Sequence, residues 1–141
     1  TNIETSELIK YASNAFLAVK LSFINELANL CDETGAHAAT LSHAMGLDQR
    51  IGNKFLNPGP GFGGSCFPKD CQELICFAQK RGICIPTVQA ALTTNQLQKY
   101  KPIAKLKKLL GTAKLEDKRI AILGLAFKGN TDDIRYSPAK D

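Results

Sequence analysis

Cys66 stands at the end of the run Gly59-Pro60-Gly61-Phe62-Gly63-Gly64-Ser65 and immediately before Phe67-Pro68-Lys69-Asp70. A glycine-rich approach lets backbone come close to a ligand, and the following residues predict a helix that starts at about this cysteine. A helix N-terminus and the neighbouring Lys69 both favour a thiolate over a thiol, which makes Cys66 the expected nucleophile. Asp70, four residues on, returns to the same side of that helix, where a carboxylate can orient a water or a lysine. Lys10 and Asn14 form another pair four apart, a cation or base beside an amide that both donates and accepts. Lys128, Asp132, Asp133 and Arg135 follow an apolar run in turn-rich sequence, a location where α/β sheets bind ligands. Taken alone, Lys10 and Asn14 read first as solvated surface, and the last group fits a charged surface loop equally well.

Other patterns fail on inspection. Gly59, Gly61 and Gly64 match G-x-G-x-x-G formally, but the turn-like Asn57-Pro58 leads in where a dinucleotide fold needs a strand. Gly124 and Gly129 have phosphate-loop spacing, yet Asn130-Thr131 occupy the place of the required lysine and hydroxyl pair. The five cysteines are an odd set without Cys-x-x-Cys pairs, and steps of five residues rotate about 140° on a helix, so Cys66, Cys71 and Cys76 cannot converge on a metal. No metal site is expected, and Cys31, Cys71, Cys76 and Cys84 are expected to be small buried hydrophobes. The formal charge of +5 is concentrated in Lys99, Lys101, Lys105, Lys107 and Lys108. These alternate with Ile103, Leu106, Leu109 and Leu110 at helical spacing, the solvated face of an amphipathic helix, so nucleic acid is not an expected partner.

These residues need elements to hold them. Ile9, Ala12, Phe16, Val19, Phe23, Leu27 and Leu30 recur every three or four positions, which predicts one long helix from about Thr5 to Glu33. Thr5 or Ser6 is its expected cap and Gly35 its left-handed stop. A short helix is expected over Ala38–Met45, closed by Gly46. A long loop then leads to Ser65, the expected cap of a helix that stops at Gly82. Thr87 is expected to cap a further helix, and Pro102 to break or kink it before Ile103–Leu110. The β-branched run Arg119–Gly124 has the character of a buried parallel strand, alone in an otherwise helical chain. The 141 residues, 44% hydrophobic, suffice for one ordinary core. No apolar run is long enough for a bilayer and the first residues lack signal-peptide character, so the expectation is a cytoplasmic protein with no membrane partner.

Five separated segments carry a resemblance: Asn14-Ala15-Phe16-Leu17-Ala18, Asn25-Glu26, Asp48-Gln49-Arg50-Ile51-Gly52, Gly61 to Asp70, and Ala121 to Lys128. In this order they resemble the UDP-glucose/GDP-mannose dehydrogenase family across nearly the whole chain. The resemblance implies a mainly α fold, a helical central domain like the C-terminal domain of 6-phosphogluconate dehydrogenase, over residues 1–114. Its long first helix would form a homodimer. Residues 115–141 would begin a truncated α/β domain with its first β-strand, and the NAD-binding domain would be absent. The implied activity is oxidation of a nucleotide sugar, UDP-glucose by the form of the Phe62–Asp70 and Arg50–Gly52 segments, with two NAD and a cysteine-bound thiohemiacetal and thioester. By resemblance Cys66, Lys10, Asn14 and Asp70 are catalytic, and Arg50, Phe55, Leu56, Phe62, Gly63, Phe127 and Lys128 bind substrate, Arg50 from the partner of a dimer. Lys69 and Arg135 are matched to the NAD side. Acidic, threonine and arginine residues that the family supplies from its other domains have no match, so these residues alone are expected to be inactive. A sister enzyme for GDP-mannose or a UDP-N-acetylhexosamine, and a purely structural dimerisation module, remain the alternatives.

Overall fold

Apolar and small residues recur with a period of 3.6 through the first quarter of the chain, and the backbone satisfies itself there as a single 32-residue helix. In the computed structural model, which describes residues 1–141, this is α1 (Ile3–Thr34), followed by α2 (Ala38–Gly46), α3 (Phe67–Gln79), α4 (Pro86–Gln98) and α5 (Lys101–Leu110). α1 is the spine, with α3 and α4 packed along it and against each other. Its buried face carries Ala15, Ala18, Ser22, Asn25, Ala28 and Cys31, small side chains that let the helices approach closely. The core is built on Ala15 and Ala18 of α1, Phe62 of the long loop and Cys71 of α3, with Leu21, Phe67, Leu74, Val88 and Leu92 around them.

Helix stops follow the glycines more closely than helix starts follow the hydroxyls. Gly35, Gly82 and Gly111 all take positive φ, a conformation that costs a residue with a Cβ about 1–2 kcal/mol. Asn2, not Thr5 or Ser6, caps α1, its side chain accepting the Thr5 N–H at 3.0 Å. Thr87 lies inside α4, whose first residue is Pro86 and whose cap position, Ile85, gives no side-chain hydrogen bond; the fixed φ of proline suits that first helical position. Gly46 is the last residue of α2 and not its stop; a Cβ there would meet Asn53 Cα at 2.9 Å, so the glycine serves the returning turn. Pro102 sits in the first turn of α5, a separate helix after α4.

The strand expected over residues 119–124 does not form. No peptide group between residues 119 and 126 bonds elsewhere in the chain, because a strand exists only as part of a ladder and no second strand is present. Ile120, Ile122, Leu123 and Leu125 are consequently exposed. No helix is long and apolar enough to cross a membrane. The lysine-rich end of the helical region is paired with acids: Lys105 with Asp32 at 2.7 Å, Lys108 with Glu33 at 3.9 Å, and Lys99 with Asp141.

Candidate active site

Because α3 lies against α1, a carboxylate in its first turn is carried into the helix interface. Asp70 is 1% exposed, and its Oδ2 accepts from Asn14 Nδ2 at 2.7 Å and faces Lys10 Nζ at 3.5 Å. A buried carboxylate without partners is strongly disfavoured, so the i, i+4 pair on α1 supplies what Asp70 requires. Its other oxygen, Oδ1, is buried with no hydrogen-bond partner. That leaves acceptor capacity at the junction of the two helices, within reach of the exposed ammonium of Lys10. A cleft of about 610 Å³ between the start of α1 and the second half of α3 opens on Lys10, with Glu7, Tyr11, Glu73 and Phe77 in its walls.

Cys66 occupies the cap position of α3, exposed, with its carbonyl accepting the Asp70 N–H at 2.8 Å. Ser65 was the expected cap, but neither it nor Cys66 gives the helix a side-chain cap; Ser65 Oγ lies 3.9 Å from Cys66 Sγ. The loop before the cysteine is pressed from outside by the last part of the chain. A Cβ on Gly63 would stand 2.1 Å from the Tyr136 carbonyl oxygen, and one on Gly64 2.7 Å from the Phe127 ring. The Gly64 N–H donates to the Arg135 carbonyl at 2.8 Å, and the Phe127 N–H to the Asp133 carbonyl at 3.0 Å, so residues 127–136 fold back onto the loop.

Charges line this contact. Asp133 is held down to about 2 by the Arg135 side chain, and next by the Arg135 backbone N–H. The Arg135 guanidinium is correspondingly favoured, chiefly by Asp133 and to a lesser degree by the Cys66 sulfur. Lys128 Nζ stands 5.5 Å over the Phe127 ring, and Lys69 is exposed on α3. Cys66, Phe62, Gly63, Phe127 and Arg135 therefore share one region, while Lys10, Asn14 and Asp70 meet one turn along α3. Exposed Lys69 and Arg135 are suited to an anionic group such as the phosphates of NAD. The glycine loop itself is not such a cradle, since no strand leads into it and the Gly59 and Phe62 N–H groups are taken by side chains.

Arg50 is not brought into this group. It lies on the turn after α2, where its guanidinium and backbone N–H hold Asp48 below the ordinary carboxylate range. Lys20 of α1 ties down the same turn by donating to the Ile51 carbonyl at 2.8 Å. Phe55, at positive φ, places its ring 5.9 Å from that of Phe67, while the Leu56 side chain is buried and its carbonyl accepts from Ser42 Oγ. Of the cysteines expected to be buried, Cys31 and Cys71 are, whereas Cys76 and Cys84 are exposed. Five residues beyond Cys71, Cys76 points about 140° away from the core face, and Cys84 lies in the α3–α4 turn. No three His, Cys, Asp or Glu side chains gather as metal ligands do.

The matches to known proteins fall on this arrangement. Residues 4–97 match the model of the UDP-glucose/GDP-mannose dehydrogenase family, central domain. The chain belongs to this family. It is 48% identical over 141 residues to UDP-glucose 6-dehydrogenase TuaD of Bacillus subtilis, covering 100% of this chain and 30% of that protein. Against the UDP-glucose 6-dehydrogenase of Rickettsia typhi the identity is 52%, covering 99% of this chain and 32% of the relative. The chain thus spans about a third of the length of these curated relatives. A UDP-glucose dehydrogenase structure from Pyrobaculum islandicum superposes with a TM-score of 0.89 at 42% identity, covering 96% of this chain and 31% of that one. A UDP-D-ManNAc dehydrogenase from Pyrococcus horikoshii gives 0.86 at 30% identity, over 99% and 33%. The mainly helical structure is that of the central part of this dehydrogenase family.

Some residues of the site went unseen in the sequence. Asn95 and Gln98 continue the stripe of Val88, Ala91 and Leu92 along α4, and both are buried, bonded to the glycine loop. A polar amide in an apolar register was the available signal. Tyr136 and Ser137, which press on Gly63, carried no signal, because their contact depends on the path of an irregular segment.

Proposed function

We propose that this chain is the cysteine-bearing central part of a UDP-glucose 6-dehydrogenase, converting UDP-glucose to UDP-glucuronate. The observation that carries the proposal is the convergence of Lys10 and Asn14 on buried Asp70, one helical turn from exposed Cys66. The chemistry NAD supplies when bound is hydride acceptance, once from the C6 alcohol and once from the thiohemiacetal. Cys66 Sγ adds to the aldehyde carbon, forming the C–S bond as the carbonyl oxygen takes up a proton. After the second oxidation the same bond is a thioester. Water cleaves it, releasing the carboxylate and returning the thiol.

Lys10 Nζ and Asn14 Nδ2 are the donors for oxygen that becomes negative in these additions, and the free Asp70 Oδ1 is the acceptor for the attacking water's proton. Phe62, Gly63, Phe127 and Lys128 line the sugar-nucleotide side, with Phe55 and Leu56 contributing from the loop before it and Arg50 reaching across the dimer to the neighbouring site. Lys69 and Arg135 would hold the phosphates of NAD. The apolar stripe that α1 leaves exposed, Ile9, Phe16, Phe23 and Leu30, is the seam of a homodimer. A polypeptide of these 141 residues alone produces no acid, since it spans only about a third of the curated relatives.

Cys66→Ser in the intact protein, assayed with UDP-glucose and NAD, tests this. Acid formation is expected to fall about a thousandfold, with aldehyde oxidation the step that is lost; unchanged acid production would overturn the assignment. Running GDP-mannose and UDP-N-acetylmannosamine beside UDP-glucose identifies the substrate by the largest kcat/KM.

A further inference from the structure

We infer that Asn95 is a positioning residue for Cys66, acting through Phe62 and Phe67, with Gln98, Asn25 and Asn29 completing the clamp. The inference rests on the cysteine chemistry proposed above and adds residues outside that machinery. Cys66 is exposed and α3 begins without a side-chain cap, so neither burial nor capping fixes the thiol. Something else must. Phe62, four residues before it, is buried, and both of its backbone polar groups are bonded to the one Asn95 side chain. The Phe62 N–H donates to Asn95 Oδ1 at 2.7 Å, and Asn95 Nδ2 donates to the Phe62 carbonyl at 3.0 Å.

This fork is the pairing that an adjacent strand would offer, made instead by a helix side chain 4% exposed. It sets the register of the loop, because a shift by one residue would leave a buried donor and acceptor unpaired. The loop runs so close that a Cβ on Gly61 would stand 2.9 Å from Asn95 Oδ1. A second clamp holds Gly59, whose N–H donates to Asn25 Oδ1 and whose carbonyl accepts from Gln98 Nε2, both at 2.8 Å. Asn29 Nδ2 in turn donates to Gln98 Oε1 at 2.9 Å. The amides come four apart on α1 and three apart on α4, so each pair faces the shared groove.

From Phe62 the constraint passes by ring contact. Its ring meets that of Phe67 edge to face, with centroids 5.8 Å apart and planes at 81°, a favourable aromatic geometry. Phe67 is the residue after Cys66 and the first of α3. Stability alone would be served as well by apolar packing, whereas paired donors and acceptors fix a position.

The test uses the intact protein with Asn95→Leu, which removes both bonds, and Asn95→Asp, which keeps the acceptor. Its readouts are kcat, KM and the rate of Cys66 alkylation by iodoacetamide, each well below the separately measured melting temperature. In Asn95→Leu, kcat is expected to fall about tenfold or more with a smaller change in KM. The alkylation rate shifts as well, and Asn95→Asp lies between the two. Should the Leu variant fail to fold, the Asp variant decides by the same criteria. Amide exchange in the unsubstituted protein adds a check, since Phe62 and Gly59 should exchange more slowly than exposed Lys54. If kcat and alkylation in the folded variants stay within about twofold of the parent, or if Phe62 exchanges as fast as Lys54, the inference is overturned. The alkylation result stands even if Cys66→Ser leaves turnover intact, which separates failure of this inference from failure of the cysteine mechanism.

Discussion

Cys71 follows Asp70 into the helix interface and has no exposed surface. Burial pushes its thiol from 9.0 up to about 11, and the neighbouring Asp70 charge adds to the effect. Between those values the unfolded chain releases the proton and the folded chain keeps it. Stability from this group is therefore complete below pH 9 and is lost as the pH rises toward 11. Denaturant titrations across that range should show a falling stability whose slope is shallower in Cys71→Ala. The same burial sorts the thiols: Cys66, Cys76 and Cys84 should alkylate in the native protein, and Cys31 and Cys71 only on unfolding. Peptide mass spectrometry after timed labelling reads this directly, and native labelling of Cys71 would contradict the interface. Among the candidate site residues, the pairing of Lys10 with Asn14 was visible as spacing. That Asp70 is their shared partner was not, since it depends on how α3 crosses α1.

Between segments, residues 127–136 lie on the glycine loop with no room for a Cβ at Gly63 or Gly64. Gly63→Ala would drive a Cβ into the Tyr136 carbonyl, a backbone atom that cannot swing aside. The expected loss is about 1–3 kcal/mol, with faster amide exchange at Gly64 and Phe127 as the bonds to Arg135 and Asp133 open. Unaltered exchange there would show that the segment is held by other means. The helices themselves were legible because their period and their glycine stops are local properties. Caps were less so. Asn2 outcompeted Thr5 and Ser6, and α3 starts uncapped, because a cap is chosen by the backbone geometry at one residue. The 119–124 segment has strand composition without a strand, since pairing is a non-local property and no second strand is present to pair with it.

For the whole molecule, surface area carries the argument. The chain exposes 10050 Å², against about 7,100 Å² for a compact monomer of its mass. Part of the excess is a stripe on α1 at seven-residue spacing: Ile9, Phe16, Phe23 and Leu30, from 48% to 64% exposed on the face turned away from α3 and α4. Spacing of seven keeps such residues nearly in line along a straight helix, and a stable interface needs about 800 Å² from each partner. In the proposed homodimer this stripe is the seam. Phe16→Glu with Phe23→Glu should dissociate the protein to monomers in sedimentation velocity, and a dimer that survives both charges would place the seam elsewhere.

The clamped loop has one more consequence, for the thermodynamics of whatever settles against Cys66. The Gly59 and Phe62 peptide groups already bond to Asn25, Asn95 and Gln98, so their conformational entropy is surrendered when the chain folds. A ligand meeting this face has little backbone left to order. Its binding should therefore lack the large unfavourable entropy and heat-capacity change of coupled folding.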